Sequence, residues 1–358
     1  MHTTDTKKQD PKTAAAKVEV VKLGQDLHAK QVTVVVQLDG SVPQPARVIP
    51  IDAYLAWVQR LQKQYANARF QACYEAGPCG YWLHRALLAQ GVTNVVVAPT
   101  NLSGRRKTDK RDARKLVEAL ERYVDGNVEA FTVIKVPTPL QEQQRGLPRH
   151  RAALLRQRKR CVQQGCSLLL QHGLQYNGHW RTSAHWPQLQ AKVPAWMLAR
   201  LSDWKKAAEL YDEQIAAVDG QIAALAKERK VRAPVGVGQL SFLTLWLELI
   251  DWQRFQNRRQ VGSFVGLCPS EFSTGETRKQ GSIDKHGNPR IRHLLIEAVW
   301  RLLRYQPDYP PLKKLSTARD GRARRKAAVA VARRLVIDLW RLNTGRATAE
   351  KLGLRFAA

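Results

Sequence analysis

Lys107-Thr108-Asp109-Lys110-Arg111-Asp112-Ala113-Arg114-Lys115-Leu116 sets two acids three residues apart among five cations. On a helix, positions i and i+3 share a face, so Asp109 and Asp112 project together. Converging carboxylates repel, and something positive must compensate. The flanking Lys and Arg can do so, which makes the plain reading a solvated charged turn. The other candidate is a divalent cation such as Mg²⁺, which takes carboxylate oxygens and brings a phosphate substrate with it. The rest of the chain decides between them.

The chain has 358 residues, enough for two or three domains. No apolar run approaches the roughly 20 residues of a membrane span. A net charge of +29 and a pI near 10.4 exceed what solubility needs and point to a polyanion, above all nucleic acid. A membrane surface is the lesser alternative, and no lipidation signal supports it. Cys73, Cys79, Cys161, Cys166 and Cys268 are odd in number and lack paired metal spacing, so they read as reduced intracellular thiols. The N-terminal residues show no signal-type apolar segment, and a cytoplasmic location is expected.

Residues 1–17 are polar and read as a disordered arm. Val18 to Asp26 and Val32 to Leu38 are β-branched runs that read as a hairpin. Then come a helix over Ala53 to Leu61, a strand over Phe70 to Glu75 and a helix over Tyr81 to Leu88. A strand over Asn94 to Ala98 and a helix over Thr108 to Tyr123 complete the domain, residues 18–138. This order predicts an α/β layer with an antiparallel start and parallel pairing after it. Asp26 and Glu75 fall at the C-terminal ends of strands, the edge where ligands collect in open α/β sheets. Each alone could be a turn or surface acid.

Together Asp26, Glu75, Asp109 and Asp112 can reach one rim of one sheet. Four carboxylates there require cations, and a pair of metal ions about 3.5 to 4 Å apart is the usual solution in phosphodiester chemistry. The joint pattern resembles the RNase H-like fold of RuvC-type nucleases. The order Asp, Glu, Asp-x-x-Asp looks like the DEDD transposases of bacterial insertion sequences.

Residues 139–230 read as a helical coiled-coil region. Leu155, Val162 and Leu169 recur every seven residues. Trp204, Ala208, Tyr211, Ile215, Val218, Ile222 and Leu225 alternate spacings of four and three. The two helices could pair with each other, as an ordinary hairpin, or with a second chain. Arg151, Arg156, Arg158, Lys159 and Arg160 form a scattered basic face suited to phosphate. His172, His179 and His185 lack ligand spacing and read as polar helix or loop residues.

Residues 231–345 read as a mainly helical C-terminal domain. Gly236-Val237-Gly238 before an apolar helix lets the backbone approach a phosphate, as in a helix-hairpin-helix. Phe264-Val265-Gly266-Leu267-Cys268-Pro269 leads into Ser273-Thr274-Gly275, Arg278-Lys279, Gly281, Lys285, Gly287-Asn288, Arg290 and Arg292. By periodicity this is a basic loop before a helix. The run is also similar to the C-terminal domain of the same transposases, and the resemblance extends over roughly residues 18 to 340. Arg319, Arg322, Arg324, Arg325 and Lys326 make a further basic cluster, and residues 346–358 a loose tail.

The resemblance implies a hybrid mechanism. The four acids would bind Mg²⁺, two ions in all, and a C-terminal serine would attack DNA phosphate and hold it covalently. Here the hydroxyls are Ser273 and Thr274, where many members carry Ser-Ser-Gly. Serine is the less hindered, and threonine keeps the spacing to the glycine. Gly236, Gly238, Arg278, Lys279, Lys285, Asn288, Arg290 and Arg292 would contact nucleic-acid backbone. Donor and target sites on double-stranded DNA would be chosen by a structured noncoding bridge RNA. A dimer or tetramer is expected from the heptad seam and from the need to cut several strands in concert, in the bacterial cytoplasm at the nucleoid. The rival classes are a RuvC-like junction nuclease using the acids alone, and a non-catalytic nucleic-acid binder.

Overall fold

A computed structural model describes residues 18–99, 108–176, 178–272, 277 and 280–356, so the arm at residues 1–17 lies outside it. The chain divides into two compact units, residues 1–136 and 137–358.

In the first unit, β1 (Val20–Leu27) and β2 (Gln31–Leu38) form the hairpin their β-branched runs favour. The edge strand β3 (Arg47–Pro50) follows, then α1 (Ile51–Gln64), β4 (Arg69–Glu75), α2 (Trp82–Ala89), β5 (Thr93–Val97) and α3 (Asp109–Val124). The sheet order is β3-β2-β1-β4-β5, antiparallel among the first three strands and parallel from β1 through β5. This mixed sheet is compatible with an RNase H-like fold.

Strand alternation sends Val21 and Leu23 to one face, where they meet Tyr54 and Val58 of α1 and Leu83 and Leu87 of α2. The residues between them face α3. Gly24 is what allows α3 to lie there: a Cβ would stand 2.3 Å from Ala113 O and 2.4 Å from Val117 N. The close approach buries Ala113, Leu116, Val117 and Leu120. It also carries Glu121 to Lys22, 3.3 Å away, and to Gln37, which donates to it at 2.6 Å.

In the second unit, α4 (Pro139–Gln171) and α6 (Ala195–Glu228) pack on each other as an antiparallel hairpin, with α5 (Trp186–Gln190) between them. A capping box of Thr138 and Gln141 starts α4. The α6 seam residues Ala208, Ile215, Val218, Ile222 and Leu225 are buried, and Leu154 and Leu155 of α4 pack into the same cluster. Between the two pairings left open above, the seam is filled from within the chain. Arg151 and Arg158, read as phosphate contacts, instead reach across the hairpin to Asp219 and Asp212.

The chain continues as α7 (Gln239–Leu249), α8 (Arg258–Phe264), a hairpin of β6 (Pro269–Glu271) and β7 (Gln280–Ile283), and α9 (Pro289–Tyr305). Then follow α10 (Lys313–Ser316), α11 (Gly321–Asn343) and α12 (Ala349–Leu352). Phe242 and Leu245 of α7, Val261 of α8, Leu295 and Val299 of α9 and Leu335 of α11 share one core. All five cysteines are free. Among the described residues, no helix is long and apolar enough to cross a membrane.

Candidate active site

β1 and β4 run parallel with Gln25 opposite Tyr74, so the next residues bring Asp26, one before the end of β1, beside Glu75, the last of β4. Alternation puts both on the α3 face, where Cys73 already donates its thiol to Leu116 O at 3.3 Å. α3 begins at this edge, and its first turn carries Asp109 and Asp112. The Nε2 of His28 lies 3.2 Å from Asp26 Oδ2 and 3.4 Å from Asp109 Oδ2. One ligand atom from each of Asp26, His28 and Asp109 falls within 4.8 Å of the others. Glu75 and Asp112 line a neighbouring pocket of about 50 Å³ together with Lys115 and Phe131.

Burial pushes the Asp26 carboxyl above its ordinary value. The His28 contact opposes that, and the fields of Asp109 and Asp112 add to it. A bound cation would relieve both burdens. The donors suit a hard divalent ion: carboxylate oxygens converging from β1 and α3, with two further acids alongside. His28 adds a nitrogen, a donor that zinc or iron accepts more readily than magnesium does. Sequence reading missed it. Its signal was only a histidine two residues beyond an acid at a strand end, and its partner Asp109 is remote in sequence.

The other candidate residues belong to the second unit. Ser273, Thr274, Arg278 and Lys279 lie outside the described residues, in the connection from β6 to β7. Gly236 adopts φ +85°, and a Cβ there would stand 2.8 Å from Tyr305 Cβ. Its carbonyl accepts from Arg301 Nε at 2.6 Å. Gly238 is the N-cap of α7, and Lys285 is exposed. Asn288 caps α9, its Oδ1 accepting from Arg290 N at 3.0 Å, while its Nδ2 donates to Glu248 Oε2, also at 3.0 Å. Arg292 Nη1 donates to the carbonyls of Val265 and Lys285 at 3.2 and 3.3 Å, tying the loop before α9 to the end of α8. Arg290 is half-buried at the start of α9. The three histidines set aside above join no metal-competent group among the described residues.

A mixed α/β layer with acids near its strand ends, in a chain of net charge +29, is compatible with an enzyme that acts on nucleic acid. Comparison narrows the class. Residues 229–313, from the end of α6 to the start of α10, match the family described as Transposase IS116/IS110/IS902. The chain is 32% identical over 303 residues to "Putative transposase y4rJ" of Sinorhizobium fredii, covering 76% of each chain. It is 33% identical over 279 residues to "Putative transposase y4qE" of the same organism, covering 72% of this chain and 65% of that one. Against the transposase for insertion sequence element IS1111A of Coxiella burnetii it is 26% identical over 292 residues, 78% of each. The chain belongs to the IS116/IS110/IS902 family of insertion-sequence transposases.

Proposed function

We propose that the chain cuts and exchanges DNA strands with Asp26, Glu75, Asp109 and Asp112 as its metal-binding acids and Ser273 or Thr274 as its nucleophile. The observation that carries the reading is the meeting of Asp26 and Asp109 around His28, with Glu75 on the neighbouring strand and Asp112 in the first turn of α3 alongside. The acids would hold Mg²⁺, two ions if all four serve. Bound there, the metal would neutralise the scissile phosphate and the charge on the attacking and leaving oxygens.

The chain's own groups supply the rest. Lys115 beside Glu75 and Asp112 offsets part of their charge. The nucleophilic hydroxyl forms a bond to phosphorus as the bond from phosphorus to a deoxyribose oxygen breaks, and its proton leaves with that oxygen. The phosphoester then keeps the strand ready for rejoining without hydrolysis. Lys285 and Arg290 would hold backbone phosphate without reading sequence. Site choice falls to a structured noncoding RNA, and several protomers act together on the paired DNA sites. Residues 18–138, 139–230 and 231–345 serve as catalytic, coiled-coil and transposase domains.

The test is to incubate the protein with Mg²⁺, the noncoding RNA and paired donor and target DNA, then resolve products on a denaturing gel. Joined strands and a covalent adduct are expected, both lost in Asp109→Asn. An adduct that survives Ser273→Ala but not Thr274→Val assigns the threonine, and the reverse assigns the serine. Hydrolysed ends without an adduct would indicate the junction nuclease, and intact DNA would end the enzymatic reading.

A further inference from the structure

In the second unit, α4, α7 and α9 enclose a cleft of about 570 Å³, a size at which proteins hold ligands. Its walls are unusual. Arg149, Arg151 and Arg156 enter from α4 and Arg290 and His293 from α9, and no carboxylate lines it. Arg149 and Arg151 are already paired, with Glu248 and Asp219. The side chains of Arg156, Arg290 and His293 have no ion-pair or hydrogen-bond partner among the described residues, although the Arg290 backbone amide is capped by Asn288. The first turns of α7 and α9 also border the cleft, through Ser241 and Pro289. Their amide ends add positive potential to that of the guanidinium groups.

We infer that this cleft holds the phosphodiester backbone of a nucleic-acid strand. Guanidinium groups on opposite walls present planar donor forks that match phosphate oxygens. A neutral or cationic ligand would leave those charges uncompensated. A chain with net charge +29 that works on nucleic acid meets this anion as a polymer rather than singly. The inference rests on the reading of the chain as a nucleic-acid enzyme, but not on its acidic site.

The two are separated by measuring binding in EDTA, where strand chemistry plays no part. Full-length protein is titrated by fluorescence anisotropy against duplex DNA and against single-stranded RNA over a range of salt concentrations. Arg156→Gln combined with Arg290→Gln should weaken binding about tenfold and flatten the slope of log K against log salt by about two. Arg60→Gln with Lys63→Gln, which removes the same charge from exposed positions of α1, should leave that slope close to wild type. A change with DNA alone, RNA alone or both identifies the strand. An unchanged slope with both, or an equal loss in the α1 variant, overturns the inference. Should the double variant lose its thermal unfolding transition, Arg156→Gln alone, at an exposed position, reads the same effect with a slope change of about one.

Discussion

His28 Nε2 stands 3.2 Å from Asp26 Oδ2, at the turn where β1 gives way to β2. The contact only partly offsets the burial that raises the Asp26 carboxyl from 3.8, and Asp109 and Asp112 push it the same way as burial does. The folded chain therefore holds a proton on Asp26 at pH values where the unfolded chain has released it. Stability falls as pH rises through that window, and the deficit persists above it. Asp26→Asn should raise the melting temperature at pH 7 without Mg²⁺ and give no gain below pH 3.8. Adding Mg²⁺ should stabilise the wild type more than the variant, as differential scanning fluorimetry would show. A variant less stable than wild type at pH 7 would mean that the His28 contact outweighs burial.

Gly24 sets how closely α3 approaches the sheet, and with it where Asp109 and Asp112 stand. The atoms a Cβ would strike, Ala113 O and Val117 N, belong to helix backbone and cannot rotate away. Gly24→Ala should cost about 1–3 kcal/mol, the usual penalty of overpacking. Moving α3 outward should also weaken Mg²⁺ binding although no acid has changed. Urea denaturation and calorimetric titration test the two effects separately. Wild-type stability would show that the helix yields freely.

Much of the first unit is legible because its signals are local. β-branched runs mark β1, β2 and β5, and the apolar spacing of α3 follows directly after its two acids. β3 is different. Its residues Arg47 to Pro50 are mostly exposed, too few to show alternation, and ordered by the ladder they make with β2. The site is legible to the extent that acids at strand ends and helix starts are. His28 is not, because its role depends on a contact with Asp109 that no local pattern announces. The same limit affects the basic residues. Arg151 and Arg158 look like phosphate ligands until Asp219 and Asp212 are found opposite them. Composition counts the charges but not their partners.

Glu248 is 1% exposed on α7 and receives Arg149 Nε and Nη2, both at 2.7 Å, with Asn288 Nδ2 at 3.0 Å. Burial alone would raise its carboxyl. Arg149, Arg145 and Asn288 outweigh burial and hold it below the ordinary 4.5. A depressed carboxyl contributes stability above pH 4.5 that is lost as pH falls through the folded value. Glu248→Gln should cost about 2–3 kcal/mol at pH 7, less than a fully enclosed pair because water reaches Arg149. It should cost progressively less towards acid pH. Asp212, which is 35% exposed between Arg158 and Arg181, gives the contrast: Asp212→Asn should cost below about 1 kcal/mol. Urea midpoints at pH 7 and pH 4 measure both, and equal losses would mean that burial does not separate the two clusters.

The heptad seam of α6 makes a last prediction about assembly. Ile222 is 3% exposed and packs in one cluster with Leu154 of α4 and Leu243 of α7. A seam used up within the chain cannot also join two chains, so its loss should be felt as lost stability rather than dissociation. Ile222→Ala should lower stability by about 2–4 kcal/mol, as truncation of a packed isoleucine does, and leave the sedimentation coefficient unchanged. Leu210, 53% exposed on the same helix, should behave in the opposite way if protomers meet along its outer face. Leu210→Ala would then shift the oligomer equilibrium while changing stability by less than about 0.5 kcal/mol. A sedimentation change in Ile222→Ala at protein concentrations where it remains folded would show that the buried seam reopens to pair with a second copy.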